Sequence, residues 1–385
     1  MNAYGINDGD WKLFLDHRGE GCVSIFMPTY RPMGDGRQDQ IRLRNLLRDA
    51  GEKLGEHGLA QRSAEVLKPA HELTDEAEFW RQPRKGVAVF SAPGFFRAYH
   101  LPIDVGERVV VADRFFLRPL MPLYQTRGGF YLLALSLNAV RLFEGRRESL
   151  DEIDLAGVVP TSFKDAMGID EYDTVVQVHS TSTSSLGRPG MVHGHGDNDQ
   201  EKLKKDVLHY FQAVAKGLGP LLRDKRAPLI LAAVQEHFPL YKTANKHPHL
   251  LEEGLTGNPD ALAPHEIHER AWPVAERFLL RERDEALERF RELRASGRVS
   301  SEVEDLVRAA EEGRVDVLLL AEDSEMWGTF DDASAEVELH LDPGNGDEEL
   351  LDRAAYSTLA RGGTVFTLPA GRLPEGRPAA AVYRY

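Results

Sequence analysis

The sequence is poor in cysteine, in positive charge and in long apolar runs. Its 385 residues include one cysteine, Cys22. A lone thiol excludes an intramolecular disulfide and any cysteine-based zinc site, and it fits a reducing cytosol, so a cytoplasmic location is expected. The longest apolar stretches, 228–234 and 315–321, fall far short of the ~20 residues that a membrane-spanning helix needs. The N-terminal stretch carries Asp8, Asp10 and Asp16 and no long apolar run, so it does not read as a signal peptide. Lysine and arginine total 47 against 62 aspartates and glutamates, a formal net charge of −15. That balance argues against a general nucleic-acid coat, while leaving room for a local basic patch. Repeats at 20–50-residue periods and low-complexity tracts are also absent. What the chain does have is core material. With 42% hydrophobic and 28% charged residues it is not a disordered chain, and its length predicts two or three domains.

Periodicity divides the chain into three blocks. In the first, 1–126, a strand at 23–27 is closed by Pro28. A helix over 37–56 follows from Leu43, Leu46, Leu47, Ala50 and Leu54 at three- and four-residue steps. A second helix is expected at 59–79, then strands at 86–91, 95–101 and 109–112. Arg37, Arg42, Arg44 and Arg48 lie on the first helix, as a solvated face or as a phosphate-contacting one. The second block, 127–296, predicts strands at 130–137, 139–144, 148–155, 174–179 and 228–234. A polar Gly-rich segment spans 180–199, an amphipathic helix 202–218, and a long charged helix 264–296. The third block, 297–385, predicts a helix at 301–312 with Ser300 or Ser301 as N-cap and Gly313 as its stop. A buried strand at 315–321, an acidic solvated loop at 342–349, a helix at 350–360 and strands at 364–368 and 379–383 complete it. The expected fold class is α/β, in three domains.

The third block runs Glu311-Glu312-Gly313-Arg314-Val315-Asp316-Val317-Leu318-Leu319-Leu320, then a late helix, Gly362-Gly363, a strand, and a terminal Ala-Ala-Ala-Val-Tyr-Arg-Tyr. This order and spacing resemble the C-terminal domain of the archaeo-eukaryotic class-one release factor and Pelota family, in its bacterial branch. The resemblance extends to the second block: a hairpin, a glycine-rich loop, a long helix and a buried strand follow the order of that family's RNase H-like middle domain. It implies an N-terminal α/β domain (1–126), an RNase H-like middle domain (127–296) and a Pelota-type α/β/α C-terminal domain (297–385). It also implies the ribosome, with its rRNA and tRNA site, and a translational GTPase as partners, and no cofactor.

The family's catalytic signature is Gly-Gly-Gln at the tip of the glycine-rich loop. Here the two Gly-Gly pairs are followed by Phe130 and Thr364, so the triplet is absent. Peptide release and stop-codon reading are therefore not expected, and the resemblance implies ribosome rescue, hibernation or translation quality control instead. The corresponding loop, 187–197, contains Gly190, His193, Gly194, His195 and Gly196, and Lys202, Lys204 and Lys205 follow at the start of the helix. The histidines can stack on bases, and the lysines and free helix amides can hold a phosphate. The competing reading is a metal-dependent hydrolase or nuclease, with His193 and His195 joined by Asp197 or Asp199, or with His265 and His268 on one helix face. Tyr241 to His249 and Trp327 read either as structural groups or as exposed contacts. Asp316, Glu322 and Asp323 establish no paired-acid geometry.

Overall fold

Gly86–Ala92 reads Gly-Val-Ala-Val-Phe-Ser-Ala, a β-prone run that is apolar on both faces, and in the computed structural model all seven residues are buried. The structure describes residues 6–29, 37–81, 85–168, 196–222, 227–342, 344, 346–369 and 371–385, without the side chains of 196–200. The architecture is mixed α/β, built from several sheets and their covering helices. Two compact units emerge: Met1–Arg127 together with Arg281–Tyr385, and Gly128–Leu280.

In the first unit, an antiparallel sheet has the order Phe95–Leu101, Gly86–Ala92, Arg18–Pro28, Arg108–Arg114. Side chains alternate across a strand, so its two faces serve two cores. Val23, Ile25, Met27, Val87 and Val89 face the helices Arg37–Glu56 and Ala60–Leu73, which contribute Leu43, Leu47, Ala50, Leu54, Val66 and Leu67. Phe26, Ala88, Phe90 and Tyr99 join Trp11 and Phe14 of the helix Asp8–Asp16, and also Leu350, Leu351, Ala354 and Tyr356 of the helix Leu350–Ala360. The first and third sequence blocks therefore share a core.

The second sheet of this unit has the order Val299–Ser300, Ala379–Tyr383, Val315–Ala321, Thr364–Leu368. Val315–Ala321 lies antiparallel to Ala379–Tyr383 and parallel to Thr364–Leu368, as neighbours on either side. Leu318 and Leu320 belong to the core with Leu306 and Leu350, while Leu319 and Ala321 meet Ala286, Leu287 and Phe290 of Arg281–Glu292 on the other face. This accounts for an uninterrupted apolar run. The helix Val303–Glu311 stops as expected: Gly313 takes φ +74°. Its amide bonds Ala310 O at 3.0 Å and that of Arg314 bonds Ala309 O at 2.9 Å, a Schellman turn. The N-cap differs from expectation. It is Glu302, without a side-chain cap bond, because Ser300 is held in the sheet opposite Ala381. The helix expected at 264–296 is two helices, Pro264–Leu279 and Arg281–Glu292, each burying a stripe in a different unit.

The second unit holds a five-stranded sheet ordered Leu150–Ile153, Val140–Gly145, Phe130–Leu135, Leu229–Ala233, Leu255–Thr256. The first two pairings are antiparallel and the last two parallel. Tyr131, Leu133, Leu229 and Leu231 pack under the helices Gly196–Leu218 and His237–Ala244, and Leu132, Ala134, Ile230 and Ala232 under Pro264–Leu279. The helix Gly196–Leu218 is seated closely at its end, since a Cβ on Gly217 would fall 2.4 Å from Val158 O and 2.6 Å from the Val159 side chain. Gly217→Ala is therefore expected to destabilise the unit by about 1–3 kcal/mol through overpacking. Urea unfolding checks this, and an unchanged midpoint would show that the helix is not pinned at this point.

Candidate functional site

Of the candidate residues, Gly190, His193, Gly194 and His195 lie outside the described residues, as does the expected strand 174–179. Gly196 opens the helix Gly196–Leu218, so this helix begins about a turn and a half before the position near 202 expected from the sequence. Residues 197–200, Asp-Asn-Asp-Gln, read as loop by composition. Acidic and amide side chains are also the groups favoured where the positive end of the helix dipole is exposed. The earlier start has a chemical consequence. The free amides of a helix belong to its first turn, so those of 200–205 are not available for a phosphate. What remains is the side chains: Lys202, Lys204 and Lys205 are all exposed. Further along the helix Val207, Tyr210, Phe211, Val214 and Leu218 are buried in one stripe, and the Tyr210 hydroxyl donates to Ser136 O at 3.2 Å. Lys202 and Lys205 lie away from this stripe, whereas Lys204 precedes Val207 and Phe211 on the same face, ahead of the buried core.

Both Gly-Gly pairs have structural reasons. A Cβ on Gly128 would lie 2.8 Å from the Leu279 side chain, and one on Gly129 would lie 3.2 Å from Gly145 O. Gly362 takes φ +76° and ends the helix Leu350–Ala360. Gly363 bonds back to Thr358 O at 2.8 Å, and a Cβ there would meet Val315 O at 2.8 Å. These glycines shape a strand entry and a helix stop.

Other sequence candidates resolve into packing and pairing. Arg42 bonds Pro28 O at 3.1 Å and pairs Glu107 at 2.7 Å, and Arg44 pairs Asp75 at 2.7 Å. His268 bonds Arg146 O at 2.8 Å, while His265 is exposed. Among the described residues no group of three or more His, Cys, Asp or Glu is placed to hold a metal ion. Tyr241 is buried, and Asn245 braces its own loop through His247 O at 2.7 Å. Trp327 is half-buried in the strand Trp327–Phe330, its indole N–H donating to Glu325 at 3.3 Å.

Sequence reasoning missed a buried charge network in the first unit. The segment 342–349 is not wholly a solvated loop: Glu348–Glu349 is a strand, and Glu349 is buried. Glu349 caps the helix Leu350–Ala360, accepting from Asp352 N at 2.7 Å, and it also accepts from Met326 N at 2.9 Å and pairs Arg118 at 3.3 Å. Asp352 Oδ1 accepts from both Leu117 N and Arg118 N at 2.8 Å. Arg118 also donates to Ala321 O at 2.9 Å and to Ser324 O. Arg114 pairs Glu348 at 2.5 Å, and Arg353 pairs Glu311 at 2.7 Å and Glu348 at 2.8 Å. Burial pushes the Glu349 carboxyl up, and it pushes Asp352 up to about 7. Burial opposes the Arg114 charge, yet Glu348 and Asp352 keep its pKa above the ordinary value. The available signal was the pair Glu349 and Asp352 at capping distance before an apolar helix. These groups bond one another and the backbone, an arrangement that fastens segments of the chain together.

Residues 129–314 match the family described as bacterial archaeo-eukaryotic release factor family 3. Solved structures of low similarity include an archaeal translation termination factor, 15% identical with a TM-score of 0.24, covering 100% of this chain and 99% of that one. Archaeoglobus fulgidus Pelota is 16% identical with a TM-score of 0.32, covering 78% of this chain and 79% of that one. A ribosome-bound archaeal Pelota is 12% identical with a TM-score of 0.38, covering 76% and 73%. No curated protein matches the sequence significantly.

Proposed function

Proceeding from a chain that is a bacterial release-factor-like, Pelota-like protein, we propose that it binds the ribosome without releasing the nascent peptide, acting in rescue, hibernation or quality control. The observation that carries this reading is the release-factor match over 129–314 in a sequence without Gly-Gly-Gln. That match spans the helix with the exposed Lys202, Lys204 and Lys205, a local basic group suited to phosphate in an otherwise acidic protein. The order of the five-stranded sheet, with a three-stranded antiparallel meander beside parallel strands, supports an RNase H-like middle domain. In this reading 1–126, 127–296 and 297–385 are three modules by descent, the first and last sharing a core. The segment 187–195 would occupy the ribosomal A site with His193 and His195 toward RNA, and a translational GTPase would be a further partner.

Co-sedimentation with ribosomes tests the reading. Lys204→Glu with Lys205→Glu should weaken pelleting strongly at low salt and much less at high salt, because surface charge is screened. Alanine at His193 and His195 should weaken it by about 1–3 kcal/mol per stacked base. Absence from ribosomes in both growing and starved cells would remove the proposal.

A further inference from the structure

At the carboxyl ends of Val315–Ala321 and Thr364–Leu368, the first unit has a cleft of about 430 Å³. Its charged lining is predominantly acidic, and most of that charge is already matched. Asp104 pairs Lys85 at 3.3 Å, Glu107 pairs Arg42 at 2.7 Å, and Glu325 pairs Arg108. Arg118 is committed to Glu349 and to Ala321 O. Glu322 and Asp323 have no salt-bridge partner among the described residues. Arg283 exerts a field on Glu322 but pairs Asp284 at 3.0 Å. Burial, with the neighbouring Asp323 charge, pushes the Glu322 carboxyl up, so a cation there would relieve a standing cost.

A second observation is independent of the carboxylates. Thr367 lines the same cleft and is 2% exposed, and its hydroxyl oxygen has no hydrogen-bond partner among the described residues. A buried hydroxyl left unpaired costs about 1–3 kcal/mol, so such groups ordinarily have a partner. Apolar surface from Phe116, Val105 and Pro119 lies alongside. A hydrated metal ion has no use for that surface, and the carboxylates do not converge into a metal cluster among the described residues. An alkylammonium chain uses both kinds of lining.

We propose that this cleft binds a small linear polyamine, with ammonium groups against Glu322 and Asp323, one of them donating to Thr367 Oγ1, and methylenes over the apolar wall. This inference is independent of the ribosomal reading. Isothermal titration of the full chain with spermidine at low salt tests it. One binding site is expected, with affinity reduced about tenfold by Glu322→Gln with Asp323→Asn, the scale of one charge-assisted bond. Thr367→Val, which keeps the volume, should weaken binding several-fold without lowering the unfolding midpoint. Equal binding by the double variant would overturn the proposal. So would displacement of spermidine by magnesium chloride at equal charge, which would indicate general screening. A tetralysine peptide binding more tightly through the same residues would assign the cleft to a protein side chain instead.

Discussion

Leu319→Ala is expected to cost about 2–5 kcal/mol, the sum of lost transfer energy and a cavity. Leu319 is fully buried in the strand Val315–Ala321, between Phe366 on one neighbouring strand and Ala380 on the other. Its side chain packs in the core formed with Ala286, Leu287 and Phe290 of Arg281–Glu292. A strand held on both edges and covered on both faces cannot close around a missing isobutyl group without moving one of these layers. Denaturant unfolding of the purified protein measures the loss. A change below about 1 kcal/mol would show that the strand is not central to its sheet.

Asp352→Ala is expected to cost about 3–5 kcal/mol, because it strips the acceptor from two buried amides and a carboxyl from a buried charged network. Both amides, Leu117 N and Arg118 N, use the same oxygen, Oδ1. Oδ2 is therefore free to carry a proton while Oδ1 goes on accepting, which suits a carboxyl pushed up to about 7 by burial. Asp352→Asn keeps that acceptor and should cost far less than the alanine. The pH dependence follows from the same shift. An unfolded aspartate ionises near ~4, so between there and about 7 the folded chain holds a proton that the unfolded chain has released. The contribution to stability is greatest below the unfolded value, falls as pH rises through this window, and is flat above it. Burial of Glu349 acts in the same direction, so the Asp352→Asn variant, by difference, isolates the Asp352 part of the slope. An unchanged slope in Asp352→Asn, or an alanine cost under about 1 kcal/mol, would contradict this account.

Elements whose burial is decided locally were legible. The helices Arg37–Glu56 and Leu350–Ala360 and the strands Val315–Ala321, Thr364–Leu368 and Ala379–Tyr383 coincide with the bounds read from periodicity. Their apolar spacing or uninterrupted runs reflect cores on one face or on both. The division of 264–296 was not legible, because each half has helical spacing of its own, Ile267, Ala271 and Val274 in one and Ala286, Leu287 and Phe290 in the other, and neither glycine nor proline marks the join at Leu280, although the two stripes serve different cores. The buried charges were hidden for a different reason. Glu348, Glu349 and Asp352 look like solvent-facing residues until distant arginines and backbone amides are brought to them. At the candidate site the amphipathic helix was readable from its apolar stripe. The helix start at Gly196 was not, since its polar first turn looks like loop.

The central claim, ribosome binding without peptide release, is tested most directly by pelleting ribosomes that carry labelled peptidyl-tRNA after incubation with this protein. The account predicts that the protein and the peptide label both travel in the pellet. Label freed into the supernatant would show that a chain without Gly-Gly-Gln hydrolyses the ester, and protein left in the supernatant would show that it does not bind.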